Sequence, residues 1–350
     1  MTLTGPVVTD GEVAFRFADP DQRLVGVRLL QGVGVPGDQL EFTRAEGGWL
    51  LRLPRPPVWR MEYRLALRHA DGGVEEVCDP GNARRAPGAF GEKSVLEFPD
   101  YRAPAWLDQP GAAGGVQRLS VPSRLLGADI EIGLWAPAGA DPAEPLPLLV
   151  AHDGPEYAQL AGLLTFTAAQ IRAGRLPPHR VALLSPGDRD EWYAANVAYA
   201  RALVLAVLPA LHRAAAVRGP VVGMGASLGG LAMLHAQRRH DTAFGALFVQ
   251  SGSFFDRRLD PQERGFPRFN RITRFVADTL RHTLHPAPVP VTMTCGVVEE
   301  NLANNRQFAA ALAAEGYPVR LVAVPDAHNY VAWRDAFDPA LVDLLGRVWA

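Results

Sequence analysis

From about residue 116 onward, short continuous apolar runs alternate with longer helix-compatible segments, and this alternation restricts the fold more than any other feature. The runs are "LPLLVAHD", "RVALLSP", "PVVGMGA", "ALFVQSGSF", "VTMTCGV" and "RLVAVPD", preceded by an opening β stretch, "ADIEIGLWAPAG". A strand that is apolar along its whole length is buried on both faces, so it belongs in a sheet covered from both sides. Segments 190–217, 229–240, 301–315 and 331–349 can form the covering helices. The expected fold class over 116–350 is therefore α/β, a mostly parallel sheet with helices on both faces. Sites in such sheets form at the C-terminal ends of strands.

Residues 1–108 have a different period. "GEVAFRFAD", "RLVGVRLL", "GWLLRLPR" and "MEYRLALRHA" are short, partly alternating runs separated by Gly, Pro and Asp, with hairpin chemistry at Asp71-Gly72-Gly73. Such spacing predicts an N-terminal β-sandwich of about a hundred residues. Between the halves, "APAWLDQPGAAGGVQRLSVPS" reads as a linker. A chain of 350 residues has room for both parts, and its 48% apolar and 21% charged residues are those of a globular protein. The net charge of −2 gives no electrostatic reason to expect nucleic acid or an anionic membrane as partner. Cys78 and Cys295 match no metal-ligand spacing and indicate no disulfide framework. "MTLTGPVVTDGEVAFRFADPDQ" lacks the basic and apolar regions of a signal peptide, and no window approaches about 18 uninterrupted apolar residues. A cytoplasmic location is the expectation.

One serine stands where a strand meets a helix, in "GPVVGMGASLGGLAMLHAQRRH". Gly225-Ala226-Ser227-Leu228-Gly229 fits the nucleophile-elbow pattern G-x-S-x-G, with the strand before and the helix after that the pattern requires. The turn is so sharp that the positions two before and two after the serine must lack bulk. The Leu228 N–H faces the same space and can donate to an oxyanion.

Serine is a weak nucleophile at neutral pH and needs a base oriented by an acid. The expected chain order is Ser, then Asp or Glu, then His. Glu299 and Glu300 fall just past one later strand, and His328 lies in the loop after the next. Glu299 is preferred as the acid over Glu300; Asp326, only two residues from His328, comes third. The other histidines fit less well. His235 and His240 lie on the helix after the elbow, His282 and His285 precede a strand, and His152 ends an earlier strand out of chain order. The second oxyanion donor should come from "HDGPEY". Pro155 has no N–H, so Gly154 or Glu156 must supply it, and Gly154 is the choice. Arg189, Trp192 and Asn196 follow the strand "RVALLSP" and are candidates for binding an acidic or aromatic acyl group. The competing reading is a solvated Arg and a half-buried Trp at a helix start.

With these residues in place, the chain resembles the enterochelin (ferric enterobactin) esterase branch of the esterase-D-like α/β-hydrolases. The resemblance rests on "LLVAHDGPEYAQ", "DRDEWYAAN", "GASLGGLAMLHA", "VQSGSFF", "CGVVEENLANNRQFAAAL" and "DAHNYVAWRDAF". In the N-terminal half, "VCDPGNARRAPGAFGEKSVLEFPDY" is similar to the family's immunoglobulin-like sandwich. Counting from the glycine of the acid segment, the resemblance puts the family's carboxylate on Glu299. Ala206 and Asp326-Ala327 depart from the family pattern, where Glu and glycines often stand. The resemblance implies an α/β-hydrolase and a serine esterase with a Ser227, His328, Glu299 triad and an acyl-enzyme. It implies no metal or organic cofactor, and a small-molecule ester as substrate, with a ferric siderophore as the family's example. Feruloyl or acetyl esters of sugars are the runner-up. A non-catalytic glycan- or partner-binding protein on the same scaffold is a further alternative, as is a sandwich acting as lid or dimer surface in a homo-oligomer.

Overall fold

The structure, a computed structural model, describes residues 5–281 and 284–350. His282, weighed above as a base, lies outside the described residues. The chain divides into two compact units. One takes the chain up to Arg102 together with Gly296–Glu299 and Val324–Ala332; the other takes Ala103–Cys295, Glu300–Ala323 and Trp333–Ala350.

The first unit is a β-sandwich. Its strands are β1 (Val7–Val8), β2 (Glu12–Ala18), β3 (Leu24–Gln31), β4 (Thr43–Ala45), β5 (Gly48–Pro54), β6 (Arg60–His69), β7 (Val74–Val77), β8 (Arg85–Ala86) and β9 (Lys93–Glu97). They form two antiparallel sheets, ordered β1-β2-β5-β4 and β3-β6-β9-β8, with β7 returning along β6 from the Asp71-Gly72-Gly73 hairpin. Alternation decides which face is inside. Val13 and Phe15 of β2, Leu51 and Leu53 of β5, and Met61, Tyr63, Leu65 and Leu67 of β6 all enter one core. Phe15 and Tyr63 meet edge-on at 5.1 Å. The late segments are part of this unit: Ala327 is in the same core, and the Trp59 N–H donates to the Pro325 carbonyl at 2.7 Å.

The second unit is built on an eight-stranded sheet. Its strands are β10 (Gly114–Ser123), β11 (Ala128–Pro137), β12 (Leu148–Ala151), β13 (Arg180–Leu184), β14 (Val222–Ala226), β15 (Ala246–Gln250), β16 (Val291–Gly296) and β17 (Val319–Val324). The order is β10-β11-β13-β12-β14-β15-β16-β17. From β13 through β16 neighbours run parallel, while β10, β11 and β13 are antiparallel. Every residue of β12 to β16 is buried, as their unbroken apolar sequences require. The helices are α1 (Gly154–Leu160), α2 (Leu163–Arg172), α3 (Arg189–Trp192), α4 (Val197–Ala202), α5 (Leu208–Ala214), α6 (Leu228–Arg239), α7 (Phe269–Thr279), α8 (Leu302–Ala314), α9 (Tyr330–Asp335) and α10 (Val342–Val348). The fold class is thus α/β-hydrolase preceded by a β-sandwich.

Two local expectations are corrected. The segment read as a linker holds β10, paired with β11 in register from Gly114↔Pro137 to Ser123↔Ala128. It is an edge strand and mostly exposed, so no apolar period marks it in the sequence. Upstream, Trp106 is buried against Phe166 at 5.4 Å and Phe337 at 6.5 Å, which ties 103–108 to the hydrolase unit. The helix expected over 190–217 is broken into α3, α4 and α5, with a π-helical turn at Leu203–Val207. Pro209 gives the reason: it lacks an N–H and crowds the preceding turn, which widens to take it. Val197–Ala214 is also apolar and long enough to cross a membrane by length and composition alone, yet Leu203, Val207, Leu208 and Leu211 sit in the hydrolase core.

Replacing Trp106 by Ala should cost about 3–5 kcal/mol of unfolding free energy in urea, as for other buried aromatics. Trp106→Phe should cost far less, because the Trp106 indole N–H has no hydrogen-bond partner among the described residues to lose.

Candidate active site

Ser227 sits between β14 and α6 with φ 55° and ψ −125°, a conformation that L-residues rarely adopt. Strain of this kind costs about 1–3 kcal/mol and persists only where surroundings enforce it. They do so here. A Cβ on Gly225 would fall 2.5 Å from the Gly229 carbonyl carbon, so only glycine lets strand and helix approach this closely. The Ser227 N–H donates to the Gln250 carbonyl at 2.9 Å, and the Ser227 carbonyl accepts from the Ser253 and Leu231 N–H groups. The Ser227 Oγ lies 3.1 Å from the Ser253 Oγ.

Two neighbouring strands end in the same way. Asp153 after β12 has φ 49°, and Ser251 after β15 has φ 47°. Since β12, β14 and β15 are adjacent, three left-handed residues line one edge of the sheet, at strand C-termini. Ser251 accepts from the Trp333 indole at 3.0 Å, and Asn301 and Asn305 of the α8 region clamp the Ser251 and Gly252 carbonyls. Ser253 was missed by sequence reasoning; the only signal was the Ser-Gly-Ser at a strand end.

The loop after β12 is fixed by a buried polar chain. The Asp153 N–H donates to the Tyr193 hydroxyl at 3.4 Å, and the Tyr193 ring packs against Tyr199 at 5.4 Å. Tyr199 lies 2.8 Å from His152 Nε2, while His152 Nδ1 lies 2.9 Å from the Gly229 carbonyl. A carbonyl can only accept, so Nδ1 carries the proton and Nε2 accepts from Tyr199. The chain thereby links the loop to the first turn of α6. Burial pushes the His152 pKa down to about 4, against the smaller opposing pulls of the Gly229 carbonyl and Asp153, so the ring is neutral. Gly154 opens α1 and Leu228 opens α6, and N–H groups in a first helical turn have no partner within their own helix.

Arg189 binds the buried Asp153 carboxylate through two bonds of 2.9 and 2.8 Å. Trp192 is buried and stacks on Tyr199 at 5.7 Å. Asn196 caps α4, its side-chain oxygen accepting from the Ala198 and Tyr199 N–H groups while its NH2 reaches Glu191. Trp192 and Asn196, expected as substrate-binding residues, thus also make structural contacts. Trp192 ends α3, whereas Asn196 is the N-cap of α4. Arg189 is committed first to Asp153.

Within the first unit, Glu299 and His328 are paired. Glu299 Oε2 accepts from His328 Nδ1 at 2.8 Å, and Glu299 Oε1 accepts from the Gly296 N–H at 2.7 Å. This fixes the tautomer, placing the imidazole lone pair on Nε2. Glu299 is buried and Glu300 exposed. Asp326 is engaged elsewhere, by Arg60 at 3.4 Å, the Ala327 N–H at 2.7 Å and Asn329 at 3.2 Å. His235 lies two turns along α6 against Phe275, His240 ends that helix, and His285 faces Asp241.

An α/β-hydrolase carrying a nucleophile elbow is the class that fold and geometry define. The Esterase family, described as "Putative esterase", matches residues 123–344, and the chain belongs to it. An iron(III) enterobactin esterase of Dickeya dadantii (strain 3937) is 28% identical over 247 residues, covering 64% of this chain. The match spans about half of that relative, 54%. A crystal structure of the enterochelin esterase of Shigella flexneri superposes with a TM-score of 0.77 at 20% identity, over 99% of this chain and 96% of that one. A ferulic acid esterase superposes with a TM-score of 0.54 at 17% identity, over 68% of this chain and all of the other.

Because the folded-state pKa of His152 lies below the ordinary 6.5, its contribution to stability is complete above pH 6.5 and is lost as pH falls towards 4. Urea unfolding should show wild type losing about 3 kcal/mol from this group between pH 7.5 and 4. His152→Asn should lose correspondingly less over the same interval.

Proposed function

We propose that the protein is a serine ester hydrolase in which Ser227, His328 and Glu299 act as the triad. The observation that carries this reading is the Glu299 carboxylate on His328 Nδ1, which leaves Nε2 as the basic nitrogen. Ser227 Oγ attacks the ester carbonyl while His328 Nε2 takes its proton. The carbonyl oxygen becomes an oxyanion held by the Leu228 and Gly154 N–H groups. Collapse expels the alcohol, protonated by His328, and leaves an acyl-Ser227 ester. Water, deprotonated by His328, then releases the acid and restores the serine. Each oxyanion donor is worth about 2.7–4 kcal/mol in such sites. Glu299 keeps the imidazole in the required tautomer and stabilises the imidazolium.

The substrate class we infer is a small-molecule siderophore ester of the enterobactin kind. Support comes from the Dickeya relative, named for iron(III) enterobactin, and from a Shigella structure determined in the presence of enterobactin. A feruloyl ester is the second reading, favoured by the fold shared with a ferulic acid esterase. In this proposal the sandwich, expected over 1–108 and running up to Arg102, is a domain of the enterochelin-esterase type, and the hydrolase part, expected over 116–350 and beginning at Ala103, is the catalytic domain.

The test is hydrolysis of iron-loaded and iron-free enterobactin, methyl ferulate and a short acyl nitrophenyl ester by wild type and Ser227→Ala. Activity that survives in Ser227→Ala overturns the mechanism, and cleavage of methyl ferulate alone overturns the siderophore. Glu299→Gln should lower kcat by up to about 10,000-fold, as in other triads whose acid is neutralised. The exposed Glu300→Gln should stay within twofold, and an equal loss in both variants would remove Glu299 from its role.

A further inference from the structure

The last two turns of α6, the start of α4 and one face of α7 border an open cavity of about 510 Å³ that the esterase reading does not use. It is lined by Arg238 and Arg239 from α6, Arg271 and Arg274 from α7, and by His235. The arginines are unequally neutralised. Arg238 pairs with the buried Glu315, and Arg271 shares Glu191 with Arg268. Asp278, also in the lining, pairs with Arg281. Arg239 and Arg274 make no ion pair or hydrogen bond among the described residues. These groups hold three more guanidinium groups than carboxylates, in a chain whose net charge is −2.

A second observation points the same way. His235 is 5% exposed, lies edge-on to Phe275 at 5.1 Å, and lines the cavity without a hydrogen-bond partner among the described residues. Burial first, then the surrounding Arg239, Arg271, His240 and Arg238, push its pKa down to about 3, so the ring is neutral and can donate one N–H. A ring N–H that opens to the cavity beside surplus guanidinium groups is the complement of an anionic oxygen group. The volume is that of a small-molecule site, and guanidinium forks match carboxylate or phosphate oxygens in pairs.

We propose that this cavity binds a small multivalent oxyanion, a di- or tricarboxylate or a diphosphate, independently of the ester site. Arg239 and Arg274, both exposed, supply the uncompensated charge and His235 a hydrogen bond. Asp278 weakens binding by repulsion.

Isothermal titration of the full-length protein with citrate and with inorganic diphosphate, at fixed ionic strength and pH 7.5, tests this. Saturable binding of citrate alone identifies a carboxylate site, and of diphosphate alone a phosphate site; either supports the proposal. R239A/R274A should weaken binding at least tenfold, while D278N should tighten it severalfold, a gain that misfolding cannot produce. Ser227 labelling by a fluorophosphonate should be unchanged in both variants. The absence of saturable heat with either anion, or equal affinity in wild type and both variants, overturns the proposal.

Discussion

The arrangement of the His328 loop depends on one buried guanidinium. Arg60, at the start of β6 and 3% exposed, lies 3.4 Å from Glu62 and 3.4 Å from Asp326. Asp326 opens the turn that carries His328, and its carboxylate also holds the Ala327 N–H and Asn329. Burial pushes the Asp326 pKa up to about 6, with Arg60 as the largest opposing influence. Breaking a buried pair from one side leaves an uncompensated charge, typically more costly than replacing the pair outright. Arg60 therefore fixes the His328 loop to the sandwich by a contact that is hard to vary in halves. With Ala327 in the sandwich core and the Pro325 carbonyl bonded to Trp59, the loop is bound by charge, packing and backbone together.

The hydrolase unit meets the same problem, holding exposed chemistry rigid, with backbone strain. Asp153, Ser227 and Ser251 occupy left-handed conformations at the ends of three adjacent strands. Each is over-determined: Asp153 by Arg189 and the tyrosine–histidine chain, Ser227 by Gln250 and Ser253, Ser251 by Trp333 and Asn301. The polar side chains near the elbow act mainly as braces. Trp192, stacked on Tyr199, and Asn196, capping α4, take part in this bracing.

Much of the parallel sheet was legible because strands buried on both faces are written as unbroken apolar runs. The helix after the elbow was legible too, since its glycines and its strand fix it from both ends. Less legible was whatever depended on a partner distant in sequence. β10 is an exposed edge strand whose only signature is its pairing with β11. The π-helical turn at Leu203–Val207 arises from Pro209 inside an otherwise continuous apolar helix pattern. Ser253, Tyr193 and Tyr199 carry no motif; only the folded contacts reveal them. Ser227, Glu299 and His328 were readable as residue types in order along the chain, whereas the hydrogen bond between Glu299 and His328 is a fact of the fold.

The sandwich unit is discontinuous. It takes the chain up to Arg102, then Gly296–Glu299, then Val324–Ala332, and Ala327 belongs to its core. During synthesis the ribosome makes most of this unit first but cannot supply its last core residue until nearly the whole hydrolase has emerged. Domains that fold as they emerge complete themselves from the N-terminal end. Here the half made earliest waits longest, and until residue 326 is out the nascent sandwich carries Arg60 without the carboxylate of Asp326.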